Sequence, residues 1–131
     1  MNRKAVFLIT LLFAAASVGT GWAVQQRDRP TGVYTNMRVS SATGDVGGIE
    51  IFVLGSNRGY YVLVQMAEGA PMTPVLASAR IRDGEILFEM ARDSRLGGMG
   101  AFEGSIGGGH LRGRFGNGFA VDLQRGQSFW Q

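Results

Sequence analysis

Beyond residue 30 the chain breaks into short runs in which apolar and polar residues alternate, separated by glycine, asparagine and aspartate. A period of two belongs to strands, because successive side chains on an extended backbone leave by opposite faces. No window of useful length after residue 30 shows the i, i+3, i+4 apolar spacing of an amphipathic helix. The pattern predicts eight strands, near 31–39, 46–54, 59–67, 75–82, 85–91, 100–107, 110–116 and 119–125. The segments EGAPMTP (68–74) and ARDSRLGG (91–98) are the clearest loops.

Opposed residues of an antiparallel pair share a face, so each hairpin can be checked against itself. A two-residue turn at Asp83-Gly84 sets Ile81 opposite Ile86, Ala79 opposite Phe88 and Ala77 opposite Met90. The reverse face then pairs Arg82 with Glu85 and Ser78 with Glu89, with only Leu87, opposite Arg80, out of place. A turn at Gly108-Gly109 sets Ile106 opposite Leu111, Gly104 opposite Gly113 and Phe102 opposite Phe115. Glu103 faces Arg114 and Ser105 faces Arg112 on the polar side. With Gly116-Asn117-Gly118 as a three-residue loop, Gly113 meets Val121, Leu111 meets Leu123 and Arg112 meets Asp122. Three consecutive strands thereby share one apolar face, and a one-residue slip would place Asp122 on it.

The second and third predicted strands behave differently. A turn at Ser56-Asn57 pairs Val53 with Tyr60, Ile51 with Val62 and Ile49 with Val64. The reverse face carries Phe52 opposite Tyr61, with Leu54 and Leu63 beside them, so this pair is apolar on both sides. Strands of that kind need cover from a second layer, a partner or the chain's own ends, and Phe129 and Trp130 are the candidates within the chain. Along the first strand, Val33, Met37 and Val39 read as inward, against Tyr34, Asn36 and Arg38. A meander of eight neighbouring strands closes most simply into an antiparallel up-and-down barrel, which removes exposed edges; a two-sheet β-sandwich is the alternative.

The first residues change the picture of where the protein works. Arg3 and Lys4 precede an uncharged apolar run, and small residues follow at Gly21 and Ala23. That is the layout of a secretory signal peptide over residues 1–23, cleaved after Ala23; retention as a membrane anchor is the alternative. Residues 24–30 then form a polar linker, and residues 31–131 a single β-barrel domain. The chain has no cysteine, which excludes disulfides, thiolate chemistry and a lipidated cysteine. Export without disulfides points to the bacterial periplasm or secretion, and to no membrane contact once the signal is gone. The formal net charge of +3 falls by two when Arg3 and Lys4 leave, and the remaining arginines are scattered. No basic stripe for nucleic acid results.

The stretch FEGSIGGGHLRGRFGNG (102–118) invites a phosphate-loop reading. The dinucleotide fingerprint would need a glycine at Arg112, the P-loop needs a lysine, and Lys4 is the chain's sole lysine. The glycines read as hairpin turns. His110 is the only histidine, so neither a zinc ligand set nor a triad with Ser105 assembles, and it reads as an exposed turn residue. Glu85 and Glu89 fall on the charged outer face, not in a carboxylate pair. No metal, no cofactor and no enzymatic activity is expected. An outer-membrane barrel is disfavoured by length, because strands of about 9–11 residues would leave little for loops.

The facing glycines 104 and 113 leave a gap in an apolar layer. A filling side chain, Tyr34 or a methionine, is expected there, with a small apolar ligand as the alternative. The architecture resembles the calycin-like group, the lipocalins and avidins, whose Gly-x-Trp on the first strand and arginine on the last meet where the barrel closes. Gly32-Val33-Tyr34 and Arg125 occupy the matching places, with tyrosine for tryptophan. The small exported protease inhibitors of bacteria are similar in size and barrel type. Two functions follow as expectations for an exported, non-enzymatic barrel. One is binding of a small apolar ligand inside, by Phe102, Gly104, Gly113, Phe115, Met90 and Tyr34. The other is a protein-interaction, inhibitor or homodimer module using Phe52, Leu54, Tyr61 and Leu63.

Overall fold

A computed structural model describes residues 28–131; the signal peptide expected over 1–23 and linker residues 24–27 lie outside the described residues. The strands are β1 (Gly32–Thr35), β2 (Arg38–Val39), β3 (Val46–Ser56), β4 (Gly59–Pro71), β5 (Val75–Arg82), β6 (Glu85–Glu89), β7 (Ala101–Gly107), β8 (His110–Phe115) and β9 (Ala120–Gly126). One 3₁₀ turn, Gly97–Met99, lies between β6 and β7. Each strand from β3 to β9 pairs antiparallel with its sequence neighbour. β1 pairs with both β9 and β3, which closes eight strands into an antiparallel barrel and leaves β2 as a short extension beside β3. The meander is a barrel and not a sandwich.

The register of β5 through β9 follows directly from the alternation. Ile81 lies opposite Ile86, Phe102 opposite Phe115, Gly104 opposite Gly113 and Leu111 opposite Leu123. Asp83 and Gly84 take φ of 52° and 80°, and Gly108 and Gly109 take 58° and 75°. Both turns thus have two left-handed residues, whose twist matches that of the flanking strands.

Three expectations are corrected. The β3–β4 turn is Asn57-Arg58, with Ser56 opposite Gly59, so Val53 meets Val62 and Ile51 meets Val64. The Ser56 hydroxyl fixes it by accepting from Arg58 N at 3.0 Å and donating to Gly59 O at 3.1 Å. The shift is by two residues, so every side chain keeps its face. The segment 68–71, expected as loop, extends β4, because β3 continues down to Val46 and pairs it with Gly69. The first strand is interrupted at Asn36-Met37. There Ile49 N donates to Asn36 Oδ1 (2.8 Å) and Asn36 N donates to Ile49 O (3.1 Å). Gly48 opposite has φ of 114°, and a Cβ on it would stand 2.7 Å from the Asn36 carbonyl oxygen. Only glycine passes there.

That interruption accounts for the misread face of β1. Tyr34, opposite Ile51, is fully buried inside the barrel, whereas Val33 is half-buried and Val39 exposed; Met37 is buried as expected. The interior is a single cluster that includes Tyr34, Ile51, Val62, Ile86, Phe88, Phe102, Leu111, Phe115 and Leu123. The loop after β6 folds Leu96 and Met99 into the same cluster.

Candidate functional site

Three places on this barrel hold more than generic packing: the closure seam, the apolar layer around the facing glycines, and the outer face of β3 and β4. At the seam the first and last strands meet. Arg125 of β9 lies opposite Tyr34 of β1. Its Nη2 donates to the Tyr34 hydroxyl at 2.7 Å and to the Arg29 carbonyl, and its Cζ stands 5.3 Å from the tyrosine ring centroid. The Tyr34 hydroxyl donates in turn to Pro30 O at 3.0 Å. A buried phenol needs such partners, and a guanidinium over a ring within about 6 Å adds a cation–π attraction. Gly32 packs under the same guanidinium, since a Cβ on it would come within 3.4 Å of Arg125 Nε. Asp28 completes the seam by accepting from Gly109 N at 3.2 Å, with Arg125 Nη1 3.8 Å away. Gly32, Tyr34 and Arg125 thus meet where the barrel closes, and Asp28–Pro30 fold across that end instead of hanging free.

In the apolar layer the gap between Gly104 and Gly113 is filled by Phe102. Its ring lies across both glycines: a Cβ on Gly104 would stand 2.8 Å from Phe102 Cε1, and one on Gly113 2.5 Å from Cζ. Neither Tyr34 nor a methionine is the filler, because Phe102 folds back over its own strand. Phe88 stacks on Phe102 at 4.8 Å and Phe115 meets Phe102 edge-on at 4.9 Å, both favoured arrangements of aromatic pairs. The residues expected to line a ligand site therefore lie together in the packed interior, with Tyr34, Met90, Phe102 and Phe115 buried. The inward residues of β5 differ, since Val75, Ala77, Ala79 and Ile81 remain only half-buried.

The outer face carries the residues expected for interaction, and the structure brings them together. By register, Val33, Phe52, Leu63 and Leu76 form one row across β1, β3, β4 and β5, and Leu54 and Tyr61 sit side by side in the next. Leu54 is 44% exposed and Leu76 58%. The opposite side of the barrel, β6 to β9, presents Glu103 opposite Arg114 and Ser105 opposite Arg112. This barrel is apolar inside and, on one side, outside as well.

Glu50, which alternation alone does not single out, lies one row below Phe52 with Thr35 and Gln65 beside it. It points away from the core yet is fully buried, because the C-terminal segment lies over it. Ser128 Oγ donates to Glu50 Oε1 at 2.7 Å and Phe129 N to Oε2 at 2.8 Å. Trp130 Nε1 donates to Gln65 Oε1 at 2.8 Å, while Gln65 Nε2 donates to Met72 O at 2.7 Å. Phe129 and Trp130, expected as cover, do hold to this face. The sequence offers only a weak signal for this site, a carboxylate among apolar outward residues of β3, and its opposition to Gln65 emerges only in the observed register.

His110 is part of an exposed polar cluster. Its Nδ1 lies 2.9 Å from Asp122 Oδ1 and 3.3 Å from Arg112 Nη2, and Arg112 Nε donates to Asp122 Oδ2 at 3.0 Å. Nδ1 cannot both donate to the carboxylate and accept from the guanidinium, so the shorter contact assigns its proton to the Asp122 bond. The His110 hydrogen bond, joined by the hydrogen bond and charge of Arg112, outweighs the opposing desolvation and holds the Asp122 carboxyl below its ordinary range. Among the described residues no group of three or more His, Asp or Glu side chains gathers as a metal site. Compared with protein-family models, curated proteins and solved structures, the chain matches none.

Proposed function

We propose that this chain is an exported, non-enzymatic, calycin-like barrel that works by docking a protein against the outer face of β3, β4 and β5. The observation that carries the reading is the one-sided outer apolar surface, with Leu54 and Leu76 at 44% and 58% exposure. Leaving such side chains in water forgoes about 25 cal/mol for each Å² that burial would remove. Contiguous apolar rows beside a polar remainder mark interaction surfaces. Leu54 and Leu63 sit on strands already paired on both sides, so a partner must engage these rows through side chains. The meeting of Gly32, Tyr34 and Arg125 at the seam supports the calycin-like assignment.

Photo-crosslinking tests the reading. A photoreactive residue at Leu76, in protein expressed and exported by its own cells, is expected to give a discrete protein adduct. The same residue at Arg114 on the polar side is expected to give none. Equal labelling from both positions, or none from Leu76, would overturn the proposal.

A small apolar ligand is a second reading, and it has its own observation. Tyr60 and Ile81, both half-buried, line with Ile106 a cleft beneath Asp28, Arg29 and Pro30. This moves the ligand site from the packed Phe102 layer to the β5 wall. Native mass spectrometry of protein from its own envelope is expected to show a bound small molecule, lost on Ile81→Arg; bare polypeptide would sink it.

A further inference from the structure

The ladder between β5 and β6 is shorter than either strand. It stops at Ala79–Phe88, although β5 stays paired with β4 as far as Val75 and β6 with β7 as far as Glu89. Ala77 and Met90, which the alternation sets opposite each other, therefore do not pair. Met90 N donates instead to Gly100 O, just before β7. The chain then turns away, with Ala91 O accepting from Ser94 N at 2.9 Å, and packs Leu96 and Met99 into the interior. The result is an opening in the barrel wall. It accounts for the half-burial of Val75 and Ala77, inward residues that a continued ladder would enclose.

The hydrogen-bond pattern fixes which main-chain groups face this opening. Gly84 O accepts from Ile106 N and Met90 N donates to Gly100 O, so even-numbered residues along β6 turn their main-chain groups to β7 and odd-numbered ones to β5. With Arg82 opposite Glu85, it is the even-numbered residues of β5 that turn theirs to β6. Leu76 is one of these, and it lies beyond the last pair. Its N–H and C=O face a place where no strand lies among the described residues. Beside them is a cleft of about 470 Å³, with Ala79, Phe88 and Phe102 on its inner side and Arg80 and Glu89 at its rim.

We propose that this opening binds an extended peptide segment of a partner protein, which adds as a short strand along Val75–Ser78 of β5. The inference rests on the docking reading for a protein partner and names what that partner inserts. A donor and an acceptor on one residue of a strand are met together by another extended main chain, and pockets for alternate side chains then give selectivity. Inward residues of the segment meet only alanines on β5, at 77 and 79, with Phe88 opposite Ala79, so a large apolar side chain suits that position. Outward residues pass between Arg80 and Glu89, where polar side chains suit. Leu76, in one row with Leu63 and Phe52, joins the added strand to the docking face.

Peptide selection and amide exchange test this. A displayed library of short random peptides, panned on the folded full chain, is expected to yield binders with large apolar residues at alternate positions. Such a binder is expected to slow hydrogen exchange of the Leu76 amide at least tenfold. N-methylation of its main chain is expected to weaken binding at least tenfold. Leu76→Pro removes a donor that no ladder uses, so it is expected to fold and to bind at least tenfold more weakly. Leu76→Ala keeps the donor and is expected to keep the binding. If Leu76→Pro does not fold, the exchange measurement on the unaltered chain decides. No enrichment, an unchanged Leu76 amide in the bound state, or wild-type binding by folded Leu76→Pro would each overturn the inference. A Leu76 photo-adduct without peptide binders would sink the strand site and spare the docking face. Binders that protect Leu76 without any adduct would sustain the strand site and count against the docking face.

Discussion

The facing glycines allow a sharp test of how the interior is built. In Gly104→Ala the new methyl would lie 2.8 Å from Phe102 Cε1 and inside contact distance of the Arg112 carbonyl oxygen on the neighbouring strand. In Gly113→Ala it would lie 2.5 Å from Phe102 Cζ and 2.7 Å from Gly104 Cα, and would also press on the Glu103 carbonyl. A ring can turn away, but a carbonyl held in a ladder cannot. Overpacking of this kind destabilises by about 1–3 kcal/mol. The lost freedom of glycine in the unfolded chain returns only about 0.4–1 kcal/mol. Because backbone is in the way, each substitution is expected to fall at the upper end, with a net loss of about 2 kcal/mol. At about 4–8 °C per kcal/mol for a domain of this size, the melting temperature drops by roughly 8–16 °C. Gly107→Ala is the control, since nothing lies within 4 Å of its Cβ and its φ is not left-handed. It is expected to change stability by no more than about 0.5 kcal/mol. Thermal and urea unfolding followed by circular dichroism measure all three. Adding Phe102→Leu to Gly104→Ala should not restore stability, because the Arg112 carbonyl remains. If Gly104→Ala melts with the wild type, or Phe102→Leu rescues it fully, the close approach of β7 and β8 is not what requires glycine.

The seam, the latch and the polar cluster each give a further expectation. Tyr34→Phe removes the hydroxyl that Arg125 and Pro30 share, and urea unfolding should show a loss of about 1 kcal/mol. Arg125→Ala should lose more and raise hydrogen exchange at Gly109, whose N–H is held by Asp28, because it also frees residues 28–30. Glu50→Ala should destabilise by about 1.5–3 kcal/mol, the range for a hydrogen bond to a charged group, and shift indole resonances as Trp130 comes off Gln65. Asp122 has a folded pKa below the carboxylate value of 3.8, so its small contribution is present above that value and lost as pH falls through the lower folded one. Carbon-detected NMR titration should place the Asp122 carboxyl below 3.8, and His110→Ala should move it upward. An Asp122 titration unmoved by His110→Ala would remove the hydrogen bond as its cause.

What was legible in the chain divides along a physical line. From β5 to β9 one face is apolar and the other, apart from Leu76 and Leu87, mostly polar or charged, so a one-residue slip would bury Asp122, and the alternation selects the register unaided. Between β3 and β4 both faces are apolar, and a two-residue slide exchanges one apolar pair for another. Only the turn distinguishes the alternatives, through the Ser56 hydroxyl and its bonds to Arg58 and Gly59. Tyr34 is misplaced when the alternation is carried through the break at Asn36-Met37, and a second, long-range cause adds to that. Its polar end is satisfied by Arg125, ninety-one positions along the chain, and no local pattern registers such a partner. Glu50 is the same case, with Ser128 seventy-eight positions away. The Gly-x-Tyr and arginine resemblance marked the first of these long-range contacts; nothing comparable marked the second.

The two sides of the barrel meet different demands, and their difference bears on function. A barrel stabilised only by its interior can be polar outside, as β6 to β9 are here apart from Leu87. The β3–β4 face instead holds Phe52, Leu54, Tyr61 and Leu63 where interior packing gains nothing from them. Residues 128–130 cover the next row down as a strap clamped on Glu50, while Leu54 and Leu76 are exposed. A cover built for stability alone would extend over the apolar rows before the polar one, since burial of a leucine contributes about 1.5–3 kcal/mol and a buried carboxylate must first be desolvated. The strap does the opposite: it spends its specific contacts on Glu50 and Gln65 and leaves the leucines bare. Polar contacts fix the strap on Glu50 and Gln65, while the apolar surface beside it stays open. The proposed docking function accounts for the bare leucines, which the fold alone does not need.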